Sequence, residues 1–283
     1  MDRILRQQTT WHLINIKART NQSVSRYVQA FRRLQEEDPM IELPRGKQGS
    51  LKSVIYSEIL DERNEPKWIH ANLLSYTIVD PAAFYNRRIR EDINIDNWDS
   101  DVVANKKEAE LFFIPSVHTL AMRCSSNISL KNVVHYLSEA LNRIEPDAFD
   151  VDIVVERDIL ERILNAHAVY SIEANVSYTN AGHTSGFEAV FDSKLRGMEP
   201  IRFNVTAAGS QERPLINEED GMLRAIVNLS EHNGSIKATI QSTTNSKPEK
   251  IDSSEHPRVL VIPRIINDFC STIHDELKRI FNN

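Results

Sequence analysis

The chain has 283 residues, of which 41% are hydrophobic, and its formal net charge at pH 7 is −6. This length predicts about two domains, and the two cysteines are too few for a disulfide framework or a four-cysteine zinc site. There is no apolar run of the ~18 residues that a membrane helix needs, and no signal-peptide core at the N-terminus. We therefore expect a cytoplasmic protein that does not associate with a membrane.

Residues 1–107 predict an N-terminal α+β domain. A helix is predicted over 23–37, because Ser23 or Ser25 can cap it, apolar residues recur at helical spacing, and Pro39 ends it. Residues 80–107 are polar and charged, and we assign them to an irregular linker. Alternating apolar residues predict strands over 9–17, 51–60 and 68–78.

Residues 108–283 predict a C-terminal α+β domain. Residues 242–255 are rich in polar side chains and predict a mobile loop. Since strands and helices do not alternate strictly, we expect mainly antiparallel sheets with amphipathic helices. The predicted strands are 110–115, 117–124, 150–155, 170–178, 201–207, 236–240 and 259–262. The predicted helices are 129–144, 158–165, 187–195, 217–229 and 264–281.

Positive charge is concentrated near the beginning of the chain. Residues 1–52 carry a net charge of +5, and the remaining residues carry −11. A flexible basic turn at 45–50 suits contact with a phosphate backbone, and Phe84 and Tyr85, which lie near the arginines at 87, 88 and 90, could support stacking on bases. The other interpretation is an ordinary solvated surface. The residues predicted to contact nucleic acid are Arg32, Arg33, Arg45, Lys47, Lys52, Arg87, Arg88 and Arg90.

Signatures of nucleotide and metal chemistry are weak in this sequence. Only eight glycines are present, and none has the spacing of a phosphate-binding loop or a dinucleotide-binding turn. The nine histidines are scattered, and none has the spacing of a zinc site. We therefore expect no cofactor and no metal.

One group of carboxylates leaves a catalytic alternative open. Asp150, Asp152 and Glu156 would share one face of a strand, where they could hold Mg²⁺ for phosphodiester cleavage. A nuclease of this kind usually has a lysine nearby on the strand, and only Arg157 and Arg162 are close in sequence. The competing interpretation is a solvated face of a sheet.

The last predicted helix has a continuous apolar stripe that could form a homodimer. The competing interpretation is that this stripe packs inside its own subunit. The stripe consists of Ile265, Ile266, Phe269, Ile273, Leu277 and Ile280.

Four segments resemble an uncharacterised bacterial family of unknown function, whose members have a similar length. These are 11–17 (WHLINIK), 27–31 (YVQAF), 110–115 (ELFFIP) and 158–164 (DILERIL). The resemblance covers nearly the whole chain and implies no activity.

A second resemblance concerns the layout of the predicted elements. A strand with small or thiol residues at 120–124 (LAMRC), the helix at 129–144, the acidic strand at 150–155 and the closing helix are similar to RexA and to the recombination-associated protein RdgC. RexA is a phage-encoded sensor of a phage-exclusion system, and RdgC is a dimer that binds DNA. The resemblance implies a dimeric DNA-binding protein without enzymatic chemistry that acts in anti-phage defence.

Three functions follow from these observations. The leading hypothesis is a homodimeric, non-enzymatic protein that binds nucleic acid, with DNA preferred, as a sensor or effector of anti-phage defence. The first alternative is a metal-dependent nuclease or toxin. The second alternative is a protein-interaction component of a defence system, whose acidic residues 53–283 would face a protein partner.

Overall fold

The computed structural model describes residues 8–95, 97–177, 186–198, 202–219, 221–263 and 269–281. The fold is α+β with mainly antiparallel sheets, as the sequence predicts. The strands are β1 Gln8–Ala18, β2 Ile41–Leu43, β3 Lys47–Tyr56, β4 Ile69–Thr77, β5 Phe84–Asn86, β6 Glu91–Ile93, β7 Ala104–Ile114, β8 Thr119–Arg123, β9 Phe149–Ile153, β10 Ala168–Val176, β11 Phe203–Ala208, β12 Gly234–Gln241, β13 Glu249–Asp252 and β14 Val259–Pro263. The helices are α1 Val24–Glu37, α2 Leu130–Ile144, α3 Arg157–Leu164, α4 Gly186–Met198, α5 Met222–Asn233 and α6 Phe269–Phe281.

The larger sheet is organised around β1. Its strand order is β14-β1-β8-β7-β4-β3-β2, and β9 also pairs with β1. Strands β14 and β9 pair with successive parts of β1, on the side opposite β8. The domain boundary expected at residue 107 falls inside β7, so strands from both sides of that position belong to this one sheet.

Helices α1 and α2 cover one face of the larger sheet. Their N-caps are Ser23 and Ser129, whose hydroxyls accept hydrogen bonds from backbone N–H groups in the first turn, and this confirms both predicted helices. A Cβ atom on Gly49 of β3 would stand 3.0 Å from Cδ2 of Tyr136. Because glycine has no Cβ atom, α2 packs closely against β3 at this point.

Helix α6 covers part of the opposite face. Ile273 and Leu277 are fully buried, in a cluster that includes Trp11 and Leu13 of β1 and Phe112 of β7. These two residues of the predicted apolar stripe therefore pack within the subunit. Ile265 and Ile266 lie outside the described residues, as does the side chain of Phe269.

The second sheet has the order β11-β10-β12-β13, and its core is shared with α3, α4 and α5. The prediction of a mobile loop over 242–255 is wrong in its second half, where β13 pairs with β12 and buries Ile251. Helix α5 begins after Gly221, because Asn217 instead donates a side-chain hydrogen bond to the carbonyl of Leu164. Tyr178 and Ile201, at the ends of two predicted strands, lie outside the described residues.

The predicted linker over 80–107 is also partly ordered. It contains the hairpin β5–β6 and the first residues of β7. The beginning of β7 is exposed and its residues are polar. Apolar residues begin only further along the strand, so the sequence pattern does not predict this part of it. Among the described helices, none is long and apolar enough to cross a membrane.

Candidate nucleic-acid interface

Three segments of the chain meet at one end of the larger sheet. They are the turn between β2 and β3, the end of β4 and the beginning of β7. In the strand register, Gly49 of β3 pairs with Ser75 of β4, and Ser75 pairs in turn with Lys107 of β7. Lys47 lies two residues before Gly49 on the same face. The register therefore brings Lys47 and Lys107 to the same end of the sheet, together with the basic turn.

A cleft of about 310 Å³ lies between this end of the sheet and the beginning of α2. Ser75 is its most buried lining residue, at 2% exposure. Three cations and several neutral polar groups contribute to the lining, which contains no Asp or Glu among the described residues. The lining consists of Pro44, Arg45, Lys47, Ser75, Lys107, Asn127, Ile128, Ser129 and Asn132.

Local backbone geometry forms the two walls of this basic cleft. Arg45 and Gly46 have φ angles of 70° and 65°, so the turn between β2 and β3 is tight and leaves Arg45 exposed. On the other wall, the N–H of Asn127 donates to the carbonyl of Glu108 at 3.3 Å, which ties the loop before α2 to β7. The first turn of α2 contains no acidic residue, and Ser129 and Asn132 at this positive end of the helix line the cleft.

The cations of the basic cleft differ from the neighbouring lysines in their partners. Within the described residues, no carboxylate pairs with Arg45, Lys47 or Lys107. On the opposite face of β7, Glu108 pairs with Lys52 at 2.6 Å and with Lys106 at 3.0 Å. These hydrogen bonds, with the one from Lys52 the stronger influence, lower the pKa of Glu108.

The β5–β6 hairpin extends from the same end of the sheet. Thr77 at the end of β4 pairs with Ala104 at the beginning of β7, and the hairpin lies within the segment of chain between them. Asn86 Oδ1 accepts a hydrogen bond from the N–H of Arg88 at 2.9 Å and so shapes the tip. The tip exposes Arg87, Arg88 and Arg90. This arginine hairpin, residues 84–93, is therefore adjacent in the chain to the basic cleft.

The aromatic residues of the hairpin have different environments. Phe84 packs against Trp98, with 6.0 Å between the ring centroids. Tyr85 is 57% exposed. Of the two rings proposed from sequence for stacking on bases, Tyr85 is thus the accessible one.

Three of the residues that were predicted to contact phosphates lie outside both the basic cleft and the arginine hairpin. Arg32 lies over the ring of Tyr56 at 5.7 Å, at the far end of β3 and roughly 30 Å along the strand from Lys47. Arg33 pairs with Glu37 on α1 at 2.8 Å. Lys52 is held by Glu108. Lys107 is not among the predicted contacts, because it stands in the charged stretch that the sequence pattern assigns to the linker.

The carboxylates of the nuclease alternative do not form the predicted set. Strand β9 ends at Ile153, and Glu156 is the N-cap residue of α3, so the expected alternation does not reach it. Asp150 is 3% exposed and pairs with Arg19 at 2.9 Å, while Asp152 pairs with Arg202 at 2.9 Å. No three His, Cys, Asp or Glu residues in the described parts of the chain could together hold a metal ion.

A lysine does join these carboxylates, from a distant part of the sequence. Lys17 of β1 pairs in register with Asp150, is 1% exposed, and donates a hydrogen bond to Ser177 Oγ at 3.1 Å. Burial lowers the pKa of Lys17 to about 8, against the opposing influence of Asp150, Asp152 and Asp192. Burial also raises the pKa of Asp152. We use the name buried charge cluster for the charged residues Lys17, Asp150, Asp152, Asp192, Arg19 and Arg202.

Comparison with protein families assigns the chain. A family model described as "Domain of unknown function (DUF4747)" matches residues 7–282. The chain belongs to this family. The DUF4747 match includes the basic cleft, the arginine hairpin and the buried charge cluster, and it confirms the resemblance to an uncharacterised family. A search of curated proteins finds no match.

Proposed function

We propose that this DUF4747 protein binds nucleic acid, with DNA as the first candidate, through the basic cleft and the arginine hairpin. The observation that carries the proposal is the strand register that brings Lys47 and Lys107 together at the end of the sheet from which the hairpin extends. No reaction on the nucleic acid is part of the proposal.

Charge is the physical basis of the proposal. Cations that have no carboxylate partner are free to neutralise phosphates, and each neutralised phosphate releases counterions. The protein as a whole is acidic, so a nucleic acid would be repelled from most of its surface and directed to the few basic regions. The glycine in the turn beside Arg45 also lets backbone amides approach a phosphate.

The cellular role extends this proposal. The resemblance of the predicted layout to RexA and RdgC implies a homodimer that acts as a sensor or effector in anti-phage defence. The two cysteines, which lie in the described part of the chain and form no disulfide, suit the cytoplasm. Ile273 and Leu277 of α6 are buried within the subunit, so the homodimer would use a surface other than these two side chains.

The test compares two adjacent lysines in a salt series. Binding of the protein to labelled double-stranded DNA, single-stranded DNA and RNA is measured with Mg²⁺ and with chelator. We expect Lys107→Gln to weaken binding and to reduce the slope of log K against log salt by about 1. The matched control is Lys106→Gln, which removes the same charge on the opposite face of β7, where Glu108 already pairs with the lysine.

Two results would contradict the proposal. Equal effects of the two substitutions would show that the basic cleft is not the contact. Absence of binding to any of the three nucleic acids at low salt would instead favour the protein-interaction component.

A metal-dependent nuclease is the second candidate, and the position of Lys17 favours it. The sequence lacked a lysine near Asp150 and Asp152, and β1 supplies one. The arginine partners of both carboxylates argue against it, because they occupy the oxygens that a metal would need. Cleavage that requires Mg²⁺ and is lost in Asp152→Asn would place this candidate first.

A further inference from the structure

We propose that the basic cleft binds a phosphate monoester at the end of a nucleic-acid chain, and not the phosphodiesters in its interior. This inference rests on the proposed function and specifies the ligand of the same site.

The size of the basic cleft supports a terminal group. Its volume of about 310 Å³ is at the lower limit of ligand pockets, which span roughly 300–1,000 Å³. A protein that follows a nucleic-acid backbone needs cations spaced along a groove. Here Arg45, Lys47 and Lys107 instead line one small cleft, which suits a single phosphate group with its adjoining sugar.

The charge of the lining supports a monoester. A terminal phosphate carries about −1.5 to −2 at pH 7, because its second pKa is about 6, whereas each internal phosphodiester carries a single negative charge. The cleft holds three cations without described carboxylate partners, beside the positive end of α2. The second negative charge of a phosphate monoester is therefore stabilised more strongly in the cleft than it would be by a single surface lysine.

The neutral groups of the lining complement the cations. A phosphate monoester presents three strong acceptor oxygens. Ser75, Asn127 and Asn132 line the same volume as the three cations, and their side chains carry groups that are able to donate hydrogen bonds. The cleft thus offers donors from three strands, a turn and the start of a helix, which suits a group that accepts from several directions.

The arginine hairpin distinguishes a nucleic-acid end from a free nucleotide. It leaves the sheet at the end where the basic cleft lies, and it exposes Arg87, Arg88 and Arg90. Phosphates that adjoin a bound terminus would contact these arginines, and a mononucleotide has no such phosphates. We therefore expect an oligonucleotide to bind more tightly than a mononucleotide.

The experiment uses one oligonucleotide in three forms, with a 5′-phosphate, with a 3′-phosphate, or with hydroxyls at both ends. Affinities of the full chain are measured by fluorescence anisotropy at pH 7.5, with a nucleoside monophosphate as competitor. We expect one phosphorylated form to bind about tenfold more tightly than the hydroxyl form. The preference should shrink at pH 5.5, where the monoester gains a proton, and it should be lost in Lys107→Gln but kept in Lys106→Gln.

Each contrary outcome has a distinct meaning. Equal affinity of the three forms would overturn the terminal-phosphate inference and leave nucleic-acid binding intact. If the nucleoside monophosphate bound as tightly as the phosphorylated oligonucleotide, the assignment to a nucleic-acid end would be overturned. Failure of all three forms to bind would overturn the proposed function itself.

Discussion

Lys17 on β1 lies directly across the strand pair from Asp150 on β9, and the two residues are 1% and 3% exposed. A pair of charges buried this deeply gains little net stability over an apolar pair, because both ions lose their hydration. Removal of one partner is different, since it leaves the remaining charges buried and unbalanced. The buried charge cluster is therefore a sensitive point of the fold.

Asp150→Asn should destabilise the protein by roughly 3–5 kcal/mol, because Arg19 and Lys17 would lose their buried counter-charge. Asp147→Asn is the matched control, since Asp147 is 3.9 Å from the same Arg19 but has a side chain that is 68% exposed. The control should change stability by about 1 kcal/mol or less. Urea denaturation of both variants measures the difference, and similar losses would contradict the assigned role of Asp150.

The free energy of unfolding should rise with pH above about pH 8, and Lys17 should cause part of the rise. In the folded chain the pKa of Lys17 is lowered to about 8, whereas the unfolded value is 10.5. Between these values the unfolded chain binds one more proton than the folded chain, so increasing pH favours the folded state. Urea denaturation at pH 7.5 and 9.5 should show a smaller increase for Lys17→Met than for the original protein. Equal increases would be inconsistent with the lowered pKa.

Tyr27→Phe should cost about 1–3 kcal/mol, because the N–H of Ala18 would lose its acceptor in the core. This N–H donates to the hydroxyl of Tyr27 at 2.9 Å, and both residues are fully buried. Tyr85→Phe removes the same hydroxyl at an exposed position and should leave stability unchanged. Thermal unfolding compares the two variants, and a neutral Tyr27→Phe would argue against the hydrogen bond.

Ile273→Ala should lower the free energy of unfolding by about 2–5 kcal/mol, because its side chain is fully buried against the larger sheet. Ile280→Ala should cost less, since Ile280 is only partly buried in the same cluster. Denaturation and sedimentation velocity are measured together. If Ile273→Ala dissociated a dimer without changing the stability of the subunit, the apolar stripe of α6 would be an intermolecular contact after all.

Sequence patterns predict the helices of this protein well where the determinants are local. Helices α1 and α2 each combine a serine N-cap with an apolar stripe, and both features lie within a few residues of each other. Strand β13 carries no comparable signal. Its single buried apolar residue is Ile251, and the strand is defined by its hydrogen bonds to β12, which a local pattern does not contain.

The candidate site was predictable only in part, for the same reason. The composition of the turn identified Arg45 and Lys47, but Lys107 joins them through a register that runs across three strands. Likewise, Lys17 reaches Asp150 through the pairing of β1 with β9. The alternation that placed Glu156 beside Asp152 failed because the strand ends before Glu156.

The pairing of β1 with β14 sets the order of events during synthesis. The hydroxyl of Thr9 donates to the carbonyl of Ile262, a contact that spans 253 residues of sequence. A ribosome that adds roughly 5–20 residues per second needs on the order of 10–50 s to produce the second strand after the first. During that interval the beginning of β1 is a hydrophobic strand edge that lacks its partner strand β14. We therefore expect the nascent protein to bind chaperones, and slowed translation of its last third should increase its tendency to aggregate.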